Sequence, residues 1–149
     1  MLAQTFQDWE LIVGDDASTD DTGEVVASFS DPRIRYVRHA KNLGIYRNWN
    51  ALIGLCRGQY IAIYHDHDIY LPTIVEKSCA LLDRFPKMTF VHTAIILLDQ
   101  GHRPISLIVR EFDEVTQGKV FQRVQIDNSC VTAATAMVRR SAYDTAGVY

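Results

Sequence analysis

The stretch Tyr60-Ile61-Ala62-Ile63-Tyr64-His65-Asp66-His67-Asp68-Ile69-Tyr70-Leu71-Pro72 decides how the rest of the chain is read. Its first five residues form an apolar run of strand length, the pattern of a parallel strand buried on both faces. Charge closes the run at Asp66-His67-Asp68, and Pro72 suits the first turn of a following helix. The order places metal-capable side chains at the carboxyl end of a buried strand, where open α/β sheets bind their ligands.

Working back from Tyr60, the positions Trp49, Leu52, Ile53 and Cys56 follow i, i+3, i+4, i+7 and predict a helix running to about Arg57, with Gly58 as its stop. Before it, Asp31-Pro32 marks a turn and Ile34 to Val37 reads as a strand. Trp9 to Val13 is a short buried-strand pattern ending at Gly14. Ser18-Thr19-Asp20-Asp21 then starts a helix, with Ser18 as N-cap, acidic residues in the first turn, and Val25, Val26 and Phe29 as its apolar stripe. Downstream of Pro72, Ile74, Val75, Ser78, Leu81, Leu82 and Phe85 share one helix face, and Pro86 ends the helix. The result is a βαβαβα rhythm.

From Met88 onward the rhythm changes. Phe90-Val91, Ile95 to Leu98 and Ile105 to Val109 read as strands, and the turn signal Asp99-Gln100-Gly101 makes this half antiparallel. Val131 to Arg139 reads as a further strand, and Ser141 to Ala146 as a short helix closed by Gly147. No repeat or low-complexity tract marks a second domain, so one domain over 1–149 is expected.

Composition excludes several classes. With 149 residues, 48% hydrophobic and 22% charged, the chain can build a core and is not a disordered type. A net charge of -3, a pI near 5.9 and dispersed Lys and Arg argue against nucleic acid as a partner. No apolar run approaches the ~20 residues of a transmembrane segment, and Met1-Leu2-Ala3-Gln4 does not start like a signal peptide. Cys56, Cys79 and Cys130 are odd in number and far apart, which suits reduced thiols and a cytoplasmic setting.

Four blocks stand in order along the chain: Gln4-Thr5-Phe6-Gln7-Asp8-Trp9-Glu10-Leu11-Ile12-Val13-Gly14-Asp15-Asp16-Ala17-Ser18-Thr19-Asp20; Asn42-Leu43-Gly44 with Arg47-Asn48; Asp66-His67-Asp68 with Pro72; and Ala136-Met137-Val138-Arg139-Arg140 with Ala146-Gly147. Together they resemble the family-2 glycosyltransferases of the GT-A fold. Each is weak alone, because Asp-Asp-x-Ser and Asp-x-Asp arise by chance; their order is the signal. The resemblance implies a three-layer αβα, Rossmann-like sheet, parallel in its first half and antiparallel in its second, with 1–87 as the donor nucleotide part and 88–149 as the start of the acceptor side.

It also implies a chemistry. The donor would be a nucleotide-diphosphate sugar, a UDP-sugar first, and the acceptor a hydroxyl on a carbohydrate or lipid-linked molecule, as in polysaccharide or cell-surface glycan synthesis. Asp15 and Asp16 map onto the family's nucleoside-holding pair, with Asp16 the better candidate; a carboxylate accepts from a pyrimidine N–H or ribose hydroxyl without a competing donor. Arg47 lies where a basic residue often stands near the donor, and its planar fork suits phosphate. A divalent ion, Mn²⁺ or Mg²⁺, would offset charge on the departing diphosphate, held by Asp66, His67 and Asp68. Inversion at the sugar is expected, as is a peripheral place at the inner membrane face as one option.

Two registers compete for the metal loop. Alignment through Pro72 puts His65 and His67 where the family's Asp-x-Asp stands, with Asp68 last; a direct Asp-x-Asp reading gives Asp66 and Asp68. In an extended strand His65 and His67 face one side and Asp66 and Asp68 the other, and a turn would relax the rule. His67 and Asp68 are expected to line the site, with Asp66 reaching ribose or metal, and a His ligand would favour Mn²⁺.

Plainer readings stand beside each. Asp15-Asp16-Ala17-Ser18 has a second reading as a capping loop, Asp66-His67-Asp68 as a solvated loop, and Arg47 as a surface ion pair. His39, His92 and His102 lack partner spacing; Trp9, Trp49 and Tyr60 suit packing, and Arg139-Arg140 a solvated strand end. The resemblance places a strand and helix before Gln4 and the catalytic base beyond Tyr149, so no catalytic base is expected in this chain, an internal piece of a longer enzyme that transfers poorly alone. The Asp16 and Asp68 loops are expected to share one donor. Two other classes remain: a nucleotide-sugar-binding module without turnover, and a nucleotidyltransferase, which would show a Gly-rich basic loop.

Overall fold

The computed structural model describes residues 1–109 and 133–149. Its elements are β1 (Leu11–Asp15), α1 (Thr22–Ala27), β2 (Ile34–Arg38), α2 (Ile45–Ile53), β3 (Tyr60–Ala62), α3 (Ile74–Arg84), β4 (Phe90–His92), β5 (Ile95–Leu98), β6 (Pro104–Ile108), β7 (Ala136–Arg139) and α4 (Arg140–Ala146). Strand and helix alternate through α3, as the sequence predicts. Expectations for Cys130 and for the beginning of the Val131 strand lie outside the described residues. The chain forms two compact units, one of Met1–Ile61, Tyr70–Glu76 and Arg139–Tyr149, the other of Ala62–Ile69 and Lys77–Val138.

In the first unit β1 and β2 are parallel, in register from Leu11 with Ile34 to Asp15 with Arg38. β1 begins two residues later than the Trp9 pattern suggests. The Trp9 amide closes a local turn on the Gln7 carbonyl at 3.1 Å, and Leu11 is where the chain reaches the second strand, through the Arg33 carbonyl at 2.9 Å. Trp9 packs as expected, under the Arg33 guanidinium 3.7 Å from its ring. Asp31 holds that guanidinium at 2.7 Å, and the hydrogen bonds it accepts from the Arg33 side chain and amide lower the Asp31 pKa to about 2.

Two helices depart from the sequence reading. Ser18 is not the N-cap of α1; Asp21 takes that place without a side-chain bond, while Asp20 accepts from the Thr22 amide at 3.0 Å. With only six residues α1 buries none of them, and Val25 and Phe29 are each 50% exposed. α2 stops at Gly54 rather than near Gly58. Its last turn tightens, with Leu55 and Cys56 amides reaching three residues back to Leu52 and Ile53 at 2.9 and 3.1 Å. Glu10 then takes the Arg57 and Gly58 amides, so their needs are met outside a helix.

Close approach explains one glycine. A Cβ on Gly14 would lie 2.1 Å from Leu52 Cδ1 and 3.0 Å from Asn48 Oδ1, so α2 can lie against β1 only where the side chain is missing. Gln4, buried, ties the start of the chain to the Pro72 turn through its amide bonds to the Leu71 carbonyl (2.9 Å) and the Val75 amide (3.2 Å).

α3 buries Val75, Ser78, Cys79 and Leu82, a strict i, i+3, i+4, i+7 stripe. The expected face was wider: Leu81 and Phe85 lie at its margin, 44% and 39% exposed. In the second unit Cys79 and Leu82 share the core with Val91, Ala134 and Met137. Cys79 Sγ lies 3.8 Å from Met137 Sδ. Burial of Leu82, fully enclosed, contributes about 2 kcal/mol.

β4 runs antiparallel to β7, and β5 antiparallel to β6, in agreement with the sequence reading. Asp99 shapes the β5–β6 turn by accepting the Gly101 and Arg103 amides at 2.8 and 2.9 Å. β3 is shorter than the Tyr60–Tyr64 run, ending at Ala62. That early end frees the following residues to turn.

Candidate functional site

Asp15 ends β1 and is 4% exposed. Its Oδ1 accepts the Ser18 amide at 2.7 Å, and its Oδ2 accepts the Tyr36 hydroxyl and sits 3.2 Å from Arg38 Nε. Parallel register brings Tyr36 and Arg38 to it from β2. Hydrogen bonds from Ser18 lead, followed by the Tyr36 hydroxyl, in holding the Asp15 pKa down to about 2. The same pairing raises the Tyr36 phenol. Asp15 is a carboxylate whose two oxygens serve the fold.

Asp16 points the other way along the loop. Its Oδ1 accepts the Leu43 amide at 2.7 Å and its Oδ2 the Gly44 amide at 2.9 Å, while the Asn42 side chain reaches its carbonyl at 3.3 Å. The Asn42-Leu43-Gly44 block is therefore the loop that Asp16 holds at the start of α2. Gly44 has φ 82°, a left-handed conformation suited to glycine. Ala17 takes φ 66° between the two functions, which costs a residue with a Cβ. Each Asp16 oxygen retains a second lone pair for a ligand. Arg47 is exposed in the first turn of α2.

The other candidate loop lies in the second unit. Past β3 the chain turns, with the Asp68 amide directed to the His65 carbonyl at 3.4 Å, so residues i and i+3 share a side. His65 Nδ1 lies 3.7 Å from Asp68 Oδ2, and His67 Nε2 lies 4.0 Å from Asp68 Oδ1. One ligand atom from each of His65, His67 and Asp68 falls within 4.8 Å of the others. Asp66 is fully exposed and turns to His67 Nδ1 at 3.2 Å. Two imidazoles and a carboxylate fit a divalent first-row ion.

Other basic residues have structural posts. Arg139 is half-buried and lies over the Tyr60 ring at 5.2 Å, whereas Arg140 is exposed, as a solvated strand end would be, and donates to the Arg57 carbonyl at 3.0 Å. His39 is structural, its Nε2 3.1 Å from Asn48 Oδ1. Trp49 packs edge-on with Tyr46 and Tyr149 at 5.7 and 5.5 Å.

Residues 1–147 match the model of glycosyl transferase family 2. The chain belongs to that family. It is 30% identical to the putative glycosyltransferase EpsE of Bacillus subtilis over 97% of its own length and 51% of EpsE. It is also 32% identical, over 55% of its length and 32% of the relative, to the Escherichia coli enzyme WfgD, a UDP-Glc:alpha-D-GlcNAc-diphosphoundecaprenol beta-1,3-glucosyltransferase. The crystal structure of S. aureus TarS 1–349 in complex with UDP-GlcNAc superposes with a TM-score of 0.70 at 18% identity, over 99% of this chain and 41% of TarS. The fold is thus the GT-A α/β fold of family 2. The chain spans about half of EpsE and less of the others.

The structure places Asp15 and Asp16 at the end of β1 and His67 and Asp68 on the loop after β3, where the sequence reading put them. That reading did not see that Tyr36 and Arg38 would occupy Asp15, although parallel pairing of two adjacent strands was the available signal. Nor did it connect Asp16 with Leu43 and Gly44, a contact 27 and 28 residues apart. His65 entered only through the Pro72-anchored register, which is the one whose residues gather in space.

Proposed function

We propose that the protein carrying this chain transfers a sugar from a nucleotide-diphosphate sugar to an acceptor hydroxyl, with a divalent metal ion and with inversion. The family match over residues 1–147 carries this reading. UDP-GlcNAc in the TarS structure favours a UDP-sugar donor, and the description of WfgD favours a lipid-linked or carbohydrate acceptor in cell-surface glycan synthesis. Free thiols at Cys56 and Cys79 suit a cytoplasmic setting. Among the described residues no helix is long and apolar enough to cross a membrane.

Asp15 fixes the end of β1, and Asp16, whose bonds to the Leu43 and Gly44 amides set its direction, accepts from the nucleoside. Arg47, exposed on α2, meets phosphate oxygens. His67 and Asp68 hold the ion, and Asp66 offers a carboxylate oxygen toward ribose or ion. When bound, the ion offsets negative charge on the leaving diphosphate. Thermal melting of the full-length protein with UDP-GlcNAc and UDP-Glc, in Mn²⁺ and in EDTA, tests the reading. A rise in Tm with either sugar that Asp16→Ala removes is the expected result; no shift with any nucleotide sugar would overturn it. Binding with no transfer to any acceptor would leave a binding module instead.

A further inference from the structure

We propose that the apolar face of the β5–β6 hairpin is a self-association surface, through which two copies of the protein pair about a twofold axis. None of its residues has a part in the proposed donor site, so pairing and sugar transfer stand or fall separately.

Antiparallel register decides which side chains share that face. Ile96 stands opposite Leu107, and Leu98, two residues on from Ile96, stands opposite Pro104. Residues directly opposite each other point to the same side of a sheet. Ile96 and Leu107 are 54% and 62% exposed, and Leu98 38%. Ile105, at the shift in register, and Val109, just past the strand, are 66% and 46% exposed. The opposed pair Ile95 and Ile108 point the other way and are half-buried. Among the described residues β5 and β6 form a two-stranded sheet of their own. Such a hairpin is marginal in water unless a face or an edge is covered.

Area and charge name the partner. Five open Ile, Leu and Val side chains expose roughly 500 Å², about the largest patch that a monomer keeps. Against a copy of itself the face removes about 1,000 Å² in total, the size at which a specific interface becomes tenable. From 95 to 109 the acidic and basic residues are Asp99 and Arg103, which pair at 2.8 Å in the turn. A face without charge meets its own copy at no like-charge cost, and a twofold axis lets one patch serve both sides. A membrane surface calls instead for Lys or Arg, with Trp or Tyr at the rim. This stretch has no Lys and no aromatic residue, and its one Arg is held by Asp99. Pairing along an edge is disfavoured, because β5 has four residues and β6 starts at Pro104 and is broken by the shift in register.

Sedimentation velocity of the full-length protein across a wide range of concentration tests the pairing. Expected is a concentration-dependent shift from one copy to two. Leu107→Lys, which sets a charge on each half of the interface, should weaken pairing tenfold or more, and Leu107→Glu likewise. Mixing these two variants should restore the dimer, because opposite charges then meet. Leu107 is exposed, so Tm should hold within a few degrees in both, and Ile96→Lys with Ile96→Glu serves if either fails to fold. A protein that stays single at every concentration, a dimer that Leu107→Lys leaves equally tight, or two variants that stay apart on mixing would overturn the pairing. Flotation of single copies with vesicles of phosphatidylglycerol and phosphatidylethanolamine, lost in Leu107→Lys, would overturn it in favour of a membrane. A dimer that persists in Asp16→Ala, whatever becomes of UDP-GlcNAc binding, is the expected sign that the two surfaces are separate.

Discussion

The loop after β1 and the loop after β3 both carry acidic residues at the end of a strand, yet they use them in opposite ways. In the first, Asp15 is buried and both of its oxygens are engaged by Ser18, Tyr36 and Arg38. Asp16 spends its oxygens on two backbone amides. In the second, His67 pairs with Asp66 and Asp68, side chains of its own loop, and is 74% exposed. An acidic pair that closes a loop and a cluster that can hold an ion look alike in one dimension. What separates them is whether the donors opposite the carboxylate belong to the scaffold.

The largest effect should come from Asp15. Asp15→Ala leaves the Tyr36 hydroxyl and the Ser18 amide without their acceptor and Arg38 without its carboxylate, so Tm of the full-length protein should fall by many degrees. A small change would place Asp15 among ligand-binding groups and erase the contrast. Asp16→Ala should cost less, about 1–3 kcal/mol by chemical denaturation, because it frees two amides near the surface that water can reach.

Acid should separate the same two loops. The Asp15 pKa lies below its ordinary value, at about 2, so the unfolded chain takes up its proton first as pH falls. The stabilisation is complete above the unfolded value near 4 and is lost on descending toward 2. Asp31, also held at about 2, contributes over the same window. Melting curves from pH 5 to pH 2 should therefore be steeper for the native protein than for Asp15→Asn. Equal slopes would show that Asp15 is not held as described.

Smaller effects sharpen the comparison. His67→Ala should leave stability within about 0.5 kcal/mol in EDTA, as expected for an exposed side chain, while its Mn²⁺ affinity falls. A large loss of stability would make the β3 loop structural too. Ala17→Gly should stabilise by up to about 1 kcal/mol, since the left-handed backbone at Ala17 suits a residue with no Cβ. Denaturant midpoints check both.

Much of the fold was legible because its signals are local. The helix stripe around Leu82, the apolar run at Tyr60 and the Asp99 turn each announce an element within a few residues. Boundaries slipped where a distant partner intervened. α2 ends early because Glu10, from before β1, takes the Arg57 and Gly58 amides. Ser18 is not a helix cap because α1 starts only at Thr22, and Ser18 instead donates its amide to Asp15 at the end of β1.

By itself the sequence determined the α/β alternation, the family and the two strand-end loops, because periodicity and spacing are properties of neighbours along the chain. Tertiary structure alone decided what each carboxylate faces. Parallel pairing set Tyr36 and Arg38 against Asp15, and the turn from His65 to Asp68 gathered side chains that an extended strand would have sent to opposite faces. Pairing across strands and the sense of a turn depend on contacts between distant residues, and no short stretch of sequence contains them.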